Sequence, residues 1–575
     1  MDSSNTGGLA KVGGAALYVS GSNTYAGVTY INEASFVVSN PYALAGGGAI
    51  SFGGGGFSGT TAYTGQLTYS SSNSVDYSAR ILNSVNTIAI ATGGQNVTFG
   101  SGLAASNTGG LAKMGSGTLT LSASNAYTGA TYVIAGVLAL GNANALAGSG
   151  TISFGTPASL FDYQGGGGTL QYSASNTVDY SAKIRNSGSA IAIDTNGQNV
   201  TFATGLAVSN TGGFTKSGLG TLTLSASNAY TGSTTISEGT LQIGDGGTTG
   251  SINGNVVTNA TLAFNRSDAL SFSGTISGTG GLTKSGLGTL TLSASNTYTG
   301  TTTINSGTLQ IGAGGTTGSI AGNVANNATL AFNRSNALSF SGTISGTGGL
   351  TKQAAGLLTL AGANSYTGRT TISAGTVALS GAGSIGTGGL NLGTTGSPGV
   401  FDIAALTAGT YSLPATGNLA GVGTLSGSGK SLAVLGSLAP GNSAGTITVG
   451  TGLSLDLSNS GSSVFEITSP TYTAGTFDLV SGSGSVVFGG ILNLAFSGGT
   501  YADGANVLQI FANTGGRSGS FSAVNATGLG AGQSATFNAA TGFITVVPEP
   551  SMCASLLASA GLAAMMRWRK QRAAA

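Results

Sequence analysis

The chain has 575 residues, of which 6% are charged, and a formal net charge of +2. That is too little cationic charge for a nucleic-acid binder, and no basic stripe with interleaved aromatics is present. There is no His, which excludes histidine general bases, Ser-His-Asp triads and His metal sites. The single Cys, Cys553, excludes an internal disulfide and a Cys zinc site.

Glycine is abundant (104 residues), yet 40% of the chain is hydrophobic and only 8 residues are Pro. The glycines alternate with strand-like runs, which points to ordered β-structure rather than a flexible linker. The chain opens on Met1-Asp2-Ser3-Ser4-Asn5-Thr6-Gly7-Gly8-Leu9-Ala10-Lys11, which matches the middle of later repeats, as at Ala105–Lys113. No basic n-region or apolar h-region precedes it, so the expectation is that the true N-terminus and its signal peptide are missing; the alternative is a cytosolic protein.

Residues 1–208 hold two long blocks that recur from Gly7 to Gly109 to Gly212, steps of 102 and 103 residues. Each step is expected to span about five coils of a solenoid. The blocks share Val75-Asp76-Tyr77-Ser78-Ala79-Arg80-Ile81 and Val178-Asp179-Tyr180-Ser181-Ala182-Lys183-Ile184. Strand alternation puts Val75, Tyr77, Ala79 and Ile81 on one face and Asp76 and Arg80 on a solvated outer face. A repeated ligand contact is the functional alternative.

Residues 209–384 hold compact 68-residue blocks. Gly280 to Gly312 reads GGLTKSGLGTLTLSASNTYTGTTTINSGTLQIG, Gly212 to Gly244 is nearly identical, and Gly348 to Ser380 is a further copy. Thr289-Leu290-Thr291-Leu292 and Thr308-Leu309-Gln310-Ile311 alternate with period two, and Thr301–Ile304 is β-branched, so each block predicts three strands joined by Gly/Asn turns. One such unit cannot bury its Leu/Ile face alone, and stacking units covers it. The apolar strand centres fall at Leu222, Leu241, Leu262 and Leu290, and again at Leu290, Leu309, Leu330 and Leu358, in steps of 19, 21 and 28 residues. These steps predict three coils per block, with two coils of 34 as the alternative. Asp245 in Gly244-Asp245-Gly246-Gly247 invites a calcium turn, but its counterpart one block later is Ala313, and one carboxylate is a poor Ca²⁺ site.

Residues 385–547 lose the strict block but stay Gly-rich and β-like, a degenerate continuation or a cap and stalk. At 548–575 the character changes. Pro548, Glu549 and Pro550 precede an uncharged run at 552–566, followed by Arg567, Arg569, Lys570 and Arg572 around Trp568. As a helix the run spans about 22 Å, short of the roughly 30 Å hydrocarbon core unless flanking residues and local thinning help. The basic cluster would stay cytoplasmic with the repeats outside; a buried C-terminal helix is the alternative. The expected fold is all-β, a parallel β-helix (β-solenoid) with a short C-terminal transmembrane helix.

Two resemblances follow from these residues. The tail resembles the PEP-CTERM protein-sorting signal, which implies export and handling by an exosortase-type sorting enzyme, with Pro548, Glu549 and Pro550 as the sorting motif. The repeats resemble the autotransporter-associated β-strand (passenger-associated transport) repeat, through Gly281-Leu282-Thr283-Lys284, Gly288-Thr289-Leu290-Thr291-Leu292, Asn296-Thr297-Tyr298-Thr299-Gly300 and Gly307-Thr308-Leu309. Ser437–Thr446 also resembles a segment common near the end of such proteins. That family implies a right-handed β-helical passenger. No long series of amphipathic barrel strands is present, so self-secretion through its own barrel is not expected.

The 15 acidic residues are scattered, which speaks against catalytic carboxylate pairs and so against an enzyme. The sequence therefore points to a structural or adhesive scaffold of the cell envelope or exopolysaccharide matrix. A glycan-binding module and a polysaccharide-degrading enzyme are the rival classes. Expected partners are the sorting enzyme, the membrane through 552–566 and extracellular polysaccharide. No nucleic acid, cofactor or metal is expected.

Overall fold

The computed structural model describes residues 1–56, 64–156, 166–441, 444–504 and 507–548. These form an all-β parallel solenoid of about 21 turns. The chain divides into two compact units, Met1–Leu290 with Ala294–Thr301, and Thr291–Ser293 with the residues from Thr302 onward. Among the described residues the helical segments are two 3₁₀ turns, Ser78–Arg80 and Ser181–Lys183. None of the described helices is long and apolar enough to cross a membrane. The apolar run at 552–566 lies outside the described residues.

In the first unit, strands of two to five residues stack in parallel and in register. Leu222 lies beside Leu241, Leu241 beside Leu262, and Leu262 beside Leu282. Every one of these leucines is buried, while Thr221, Thr240 and Thr261 face outward. Period two thus sorts each strand into a core side and a solvent side, and stacking closes the core. Successive turns take about 20 residues.

The expected set of three coils per block is corrected here. Leu282, not Leu290, is the neighbour of Leu262, and in the second unit Leu330 pairs with Leu350 while Leu358 pairs with Leu338. Phe214–Ser217 belongs to the sheet that continues through Thr234–Ile236, Val256–Thr258 and Ile276–Ser277. Its counterpart Gly281–Ser285 comes five residues after Ile276 and joins the next sheet around the turn, behind Thr261–Asn265. A 68-residue block is therefore three turns plus one face. The long blocks behave alike: Lys216, the counterpart of Lys113, falls in the column Leu119, Leu138, Leu170, Ile193 four turns on, rather than the five expected. Strand alternation says which side of a strand is buried, but it cannot say which sheet the strand joins.

The corners are held by buried Asn. Asn125 Oδ1 accepts the Leu103 N–H at 2.8 Å, and Nδ2 donates to the carbonyls of Ala123 and Ala145 at 2.9 and 3.0 Å, so one side chain links three turns. Asn125→Ala should cost about 2–3 kcal/mol, because it leaves a buried N–H and two carbonyls unpaired. A lowered urea midpoint with an unchanged slope checks this.

In the second unit the parallel ladder continues to Ala523–Thr527 beside Ile491–Phe496. It ends in an antiparallel sheet with Phe543–Pro548 between Val507–Gln509 and Gln533–Asn538. Phe488 contacts Phe511, Phe521 and Phe537 with ring centroids 4.9–5.2 Å apart, closing the core end.

Candidate functional surfaces

Five lysines hold the same station in the repeats, and all are buried: Lys11, Lys113, Lys216, Lys284 and Lys352. Each stands in an inward column, as Lys113 does between Ile90 and Val133. Its stem packs with the aliphatic residues and its head turns to the corner. Lys113 Nζ donates to the carbonyls of Met114, Gly115 and Ala135 at 2.8, 2.7 and 2.9 Å, the last on the following turn. Lys216 does the same to Ser217, Gly218 and Glu238 at 2.9, 2.6 and 3.2 Å. The head leaves no room beside it: a Cβ on Gly136 would lie 2.7 Å from Lys113 Nζ, and one on Gly239 2.9 Å from Lys216 Nζ. Burial pushes Lys113 down to about 7. It pushes Lys216 and Lys352 to about 8, with Asp194 and Glu238 pulling Lys216 back up. These amines bind backbone: Lys11, Lys113 and Lys216 each reach a carbonyl of the following turn and so join turns, while Lys352 donates to Gln353 and Ala354 of its own turn. The sequence reading missed them as core residues; the signal was there, since Lys113 shares the inward register of Leu111.

The shared Asp-Tyr-Ser-Ala segments do not form strands. Ser78 is buried and Ala79 exposed, because Ser78–Arg80 is a 3₁₀ turn. Asp76 accepts the Ser78 and Gly100 N–H groups at 2.8 and 2.7 Å. Arg80 donates to the carbonyls of Gly48 and Leu44 at 2.7 and 2.5 Å, and Lys183 reaches Leu146, Ala147 and Ser149 in the second copy. Asp76 is exposed, as expected, but Arg80 is half-buried, and both side chains clamp turns together through backbone groups.

Asp478 is a buried carboxylate, pushed up to about 7 by burial. It accepts the N–H groups of Gly445 and Glu466, both at 2.8 Å, and so pins the end of the Ser437–Thr446 segment. Among the described residues no group of three or more His, Cys, Asp or Glu could hold a metal. Asp245 is exposed and accepts only its own turn's Gly247 N–H at 3.3 Å. Pro548 ends the central strand of the terminal sheet, paired with Gln533. Glu549, Pro550, Arg567, Arg569, Lys570 and Arg572 lie outside the described residues.

The outer faces differ. Ala89 and Ala112 point outward from their strands yet are fully buried, so that stretch of sheet is unavailable to a partner. The neighbouring sheet carries an accessible outward column in register through Thr118, Val137, Thr169, Ala192, Thr215, Thr235, Val257 and Ser277.

Residues 9–38, 111–140, 214–243, 282–311 and 350–379 match the model of the Passenger-associated-transport-repeat family. Five stretches of the chain thus match it. They begin at the five copies read from the sequence, and each contains one of the buried lysines. Over 247 residues, 40% of this chain, it is 33% identical to the adhesin BmaC autotransporter of Brucella suis biovar 1 (strain 1330). The chain spans only 7% of the length of that curated relative. The crystal structure of the Haemophilus influenzae Hap adhesin aligns over 92% of this chain and 64% of its own, at 14% identity and a TM-score of 0.29, too low to carry an argument.

Proposed function

We propose that this protein is an exported, non-enzymatic adhesive scaffold of the cell envelope or extracellular matrix, sorted through residues 548–575. The observation that carries the reading is the use to which its charged groups are put. Lys11, Lys113, Lys216 and Arg80 are engaged in joining turns, and Asp478 in pinning a loop. What faces outward on the long sheet is a rigid array of small hydroxyl and aliphatic side chains. The passenger-associated repeats and the likeness to an adhesin autotransporter support export and adhesion. The Pro548-Glu549-Pro550 motif, the 552–566 span in the inner membrane and the basic tail supply the sorting step, with an exosortase-type enzyme as partner.

The test is made on full-length tagged protein in its native cell, by fractionation and mass spectrometry of the C-terminal peptide. The expected result is an extracytoplasmic product ending near Pro548–Pro550. An intact cytoplasmic chain still carrying Arg572 would overturn both export and sorting.

A further inference from the structure

Asparagine precedes glycine at two places, Asn196-Gly197 and Asn253-Gly254. Both pairs are exposed corners of the first unit, yet the fold holds only one of them. The Gly197 N–H donates to the Leu219 carbonyl at 2.7 Å, and Asn196 Nδ2 donates to the Tyr172 carbonyl at 3.2 Å. Asn196 is fixed further by its own N–H, which donates to Asp194 Oδ1 at 2.8 Å. At the second pair, neither the Asn253 side chain nor the Gly254 N–H has a hydrogen-bond partner among the described residues. Gly254 stands at φ +78°, and a Cβ there would meet nothing nearer than the Gly232 carbonyl oxygen at 3.6 Å. We propose that Asn253-Gly254 is a site of spontaneous covalent modification, losing its side-chain amide and rearranging to isoaspartate, while the fold protects Asn196-Gly197 from the same reaction.

The step needs only water. The Gly254 nitrogen gives up its proton and attacks Asn253 Cγ, and glycine has no Cβ to shield that nitrogen. The Cγ–Nδ2 bond breaks, Nδ2 leaves as ammonia carrying a proton, and a five-membered succinimide closes. Water then opens the ring at either carbonyl, giving aspartate or its β-linked isomer. At Gly197 the same attack must first free the nitrogen from Leu219 and the amide from Tyr172. Either product adds a carboxylate at the corner, and the isomer adds one carbon to the main chain. The change falls immediately before Asn255, which links the flanking turns. Its carbonyl accepts the Thr234 N–H at 3.0 Å, and its Oδ1 accepts the Thr275 N–H at 2.9 Å. One block later the pair is Ala321-Gly322, and Asn323 makes the same two links, to Thr302 and Thr343, both at 2.9 Å. The corner therefore forms without an asparagine at this position.

The test uses the full chain and its Asn253→Ala variant, which copies Ala321. The full chain is aged in mildly alkaline buffer, folded and in urea, and peptide mass spectrometry follows deamidation and isomer formation at both pairs. In the folded chain Asn253 is expected to react at least about tenfold faster than Asn196, because two hydrogen bonds must open at the protected pair. In urea the two rates should converge. The aged full chain should then unfold at a lower urea concentration than the variant aged alongside it, while the two fresh proteins unfold together. An unmodified Asn253, or equal rates at the two pairs in the folded chain, would overturn the proposal. A rate ratio that survives in urea would overturn it too, by assigning the difference to neighbouring residues rather than to the fold. Equal midpoints after ageing would refute the effect on the stack. The test holds whether or not the chain is exported.

Discussion

Lys113→Met lowers the unfolding free energy by about 3 kcal/mol near neutral pH, and the loss grows as the solution becomes alkaline. Methionine replaces the stem within the column of Ile90 and Val133, so little packing is lost. What disappears is the head, and with it the donors to Met114, Gly115 and Ala135. A buried carbonyl left without a donor costs about 1–3 kcal/mol. The pH dependence follows from burial, which lowers Lys113 from the usual 10.5 to about 7 in the folded chain. Between those values the unfolded chain holds more protons, so this lysine's contribution to stability rises with pH. Below about 7 the desolvated ammonium offsets part of its own hydrogen bonds. Urea titrations of both proteins at pH 6.5 and 9.5 measure this, and a deficit that shrinks at the higher pH would refute it.

Gly117→Val is expected to cost at least about 3 kcal/mol, for a reason unrelated to turn conformation. A Cβ at Gly117 would stand 1.9 Å from the Gln95 carbonyl oxygen and 2.6 Å from the Gln95 nitrogen. Both atoms are backbone of the preceding turn, and the ladder pairing Leu119 with Val97 prevents them from retreating. Neither turn can move without breaking its register, so the strain is not relieved by side-chain repacking. Gly94 provides the contrast. Its φ is +82°, but the space beside it is open, with Ser116 Oγ 3.7 Å from the added carbon. Gly94→Ala should cost only about 1 kcal/mol, the conformational penalty alone. Comparable losses at the two positions, measured by thermal unfolding, would remove the distinction between stacking and conformational glycines.

Much of this architecture was legible in the residues. Thr289–Leu292 and Thr308–Ile311 are strands where period two puts them, and the five repeat copies coincide with the five family matches. Assignment to a sheet was not legible, because Leu262 meets Leu282 only once the corners between them are built. Asp76 to Arg80 misled for a related reason: their alternation suits a strand, but the bonds from Arg80 to Leu44 and Gly48 come from residues more than thirty positions away. The lysines were hidden by their charge. A corner that supplies backbone carbonyls makes an inward lysine tolerable, and at Lys113 three of them come from two turns.

The advance of one face per repeat has a consequence for how such a chain grows. Leu219 and Leu287 occupy the same place in successive copies, and both are prominent, 68% and 80% exposed. Because their copies join different sheets, the two leucines project from different corners. Duplicating a block therefore lengthens the stack without placing the copy of Leu219 directly above it on the same face. Long stripes of like residues on parallel strands are what allow chains to zip together. A repeat length that misses a whole number of turns lets the protein copy itself internally while successive copies of an exposed side chain face different ways.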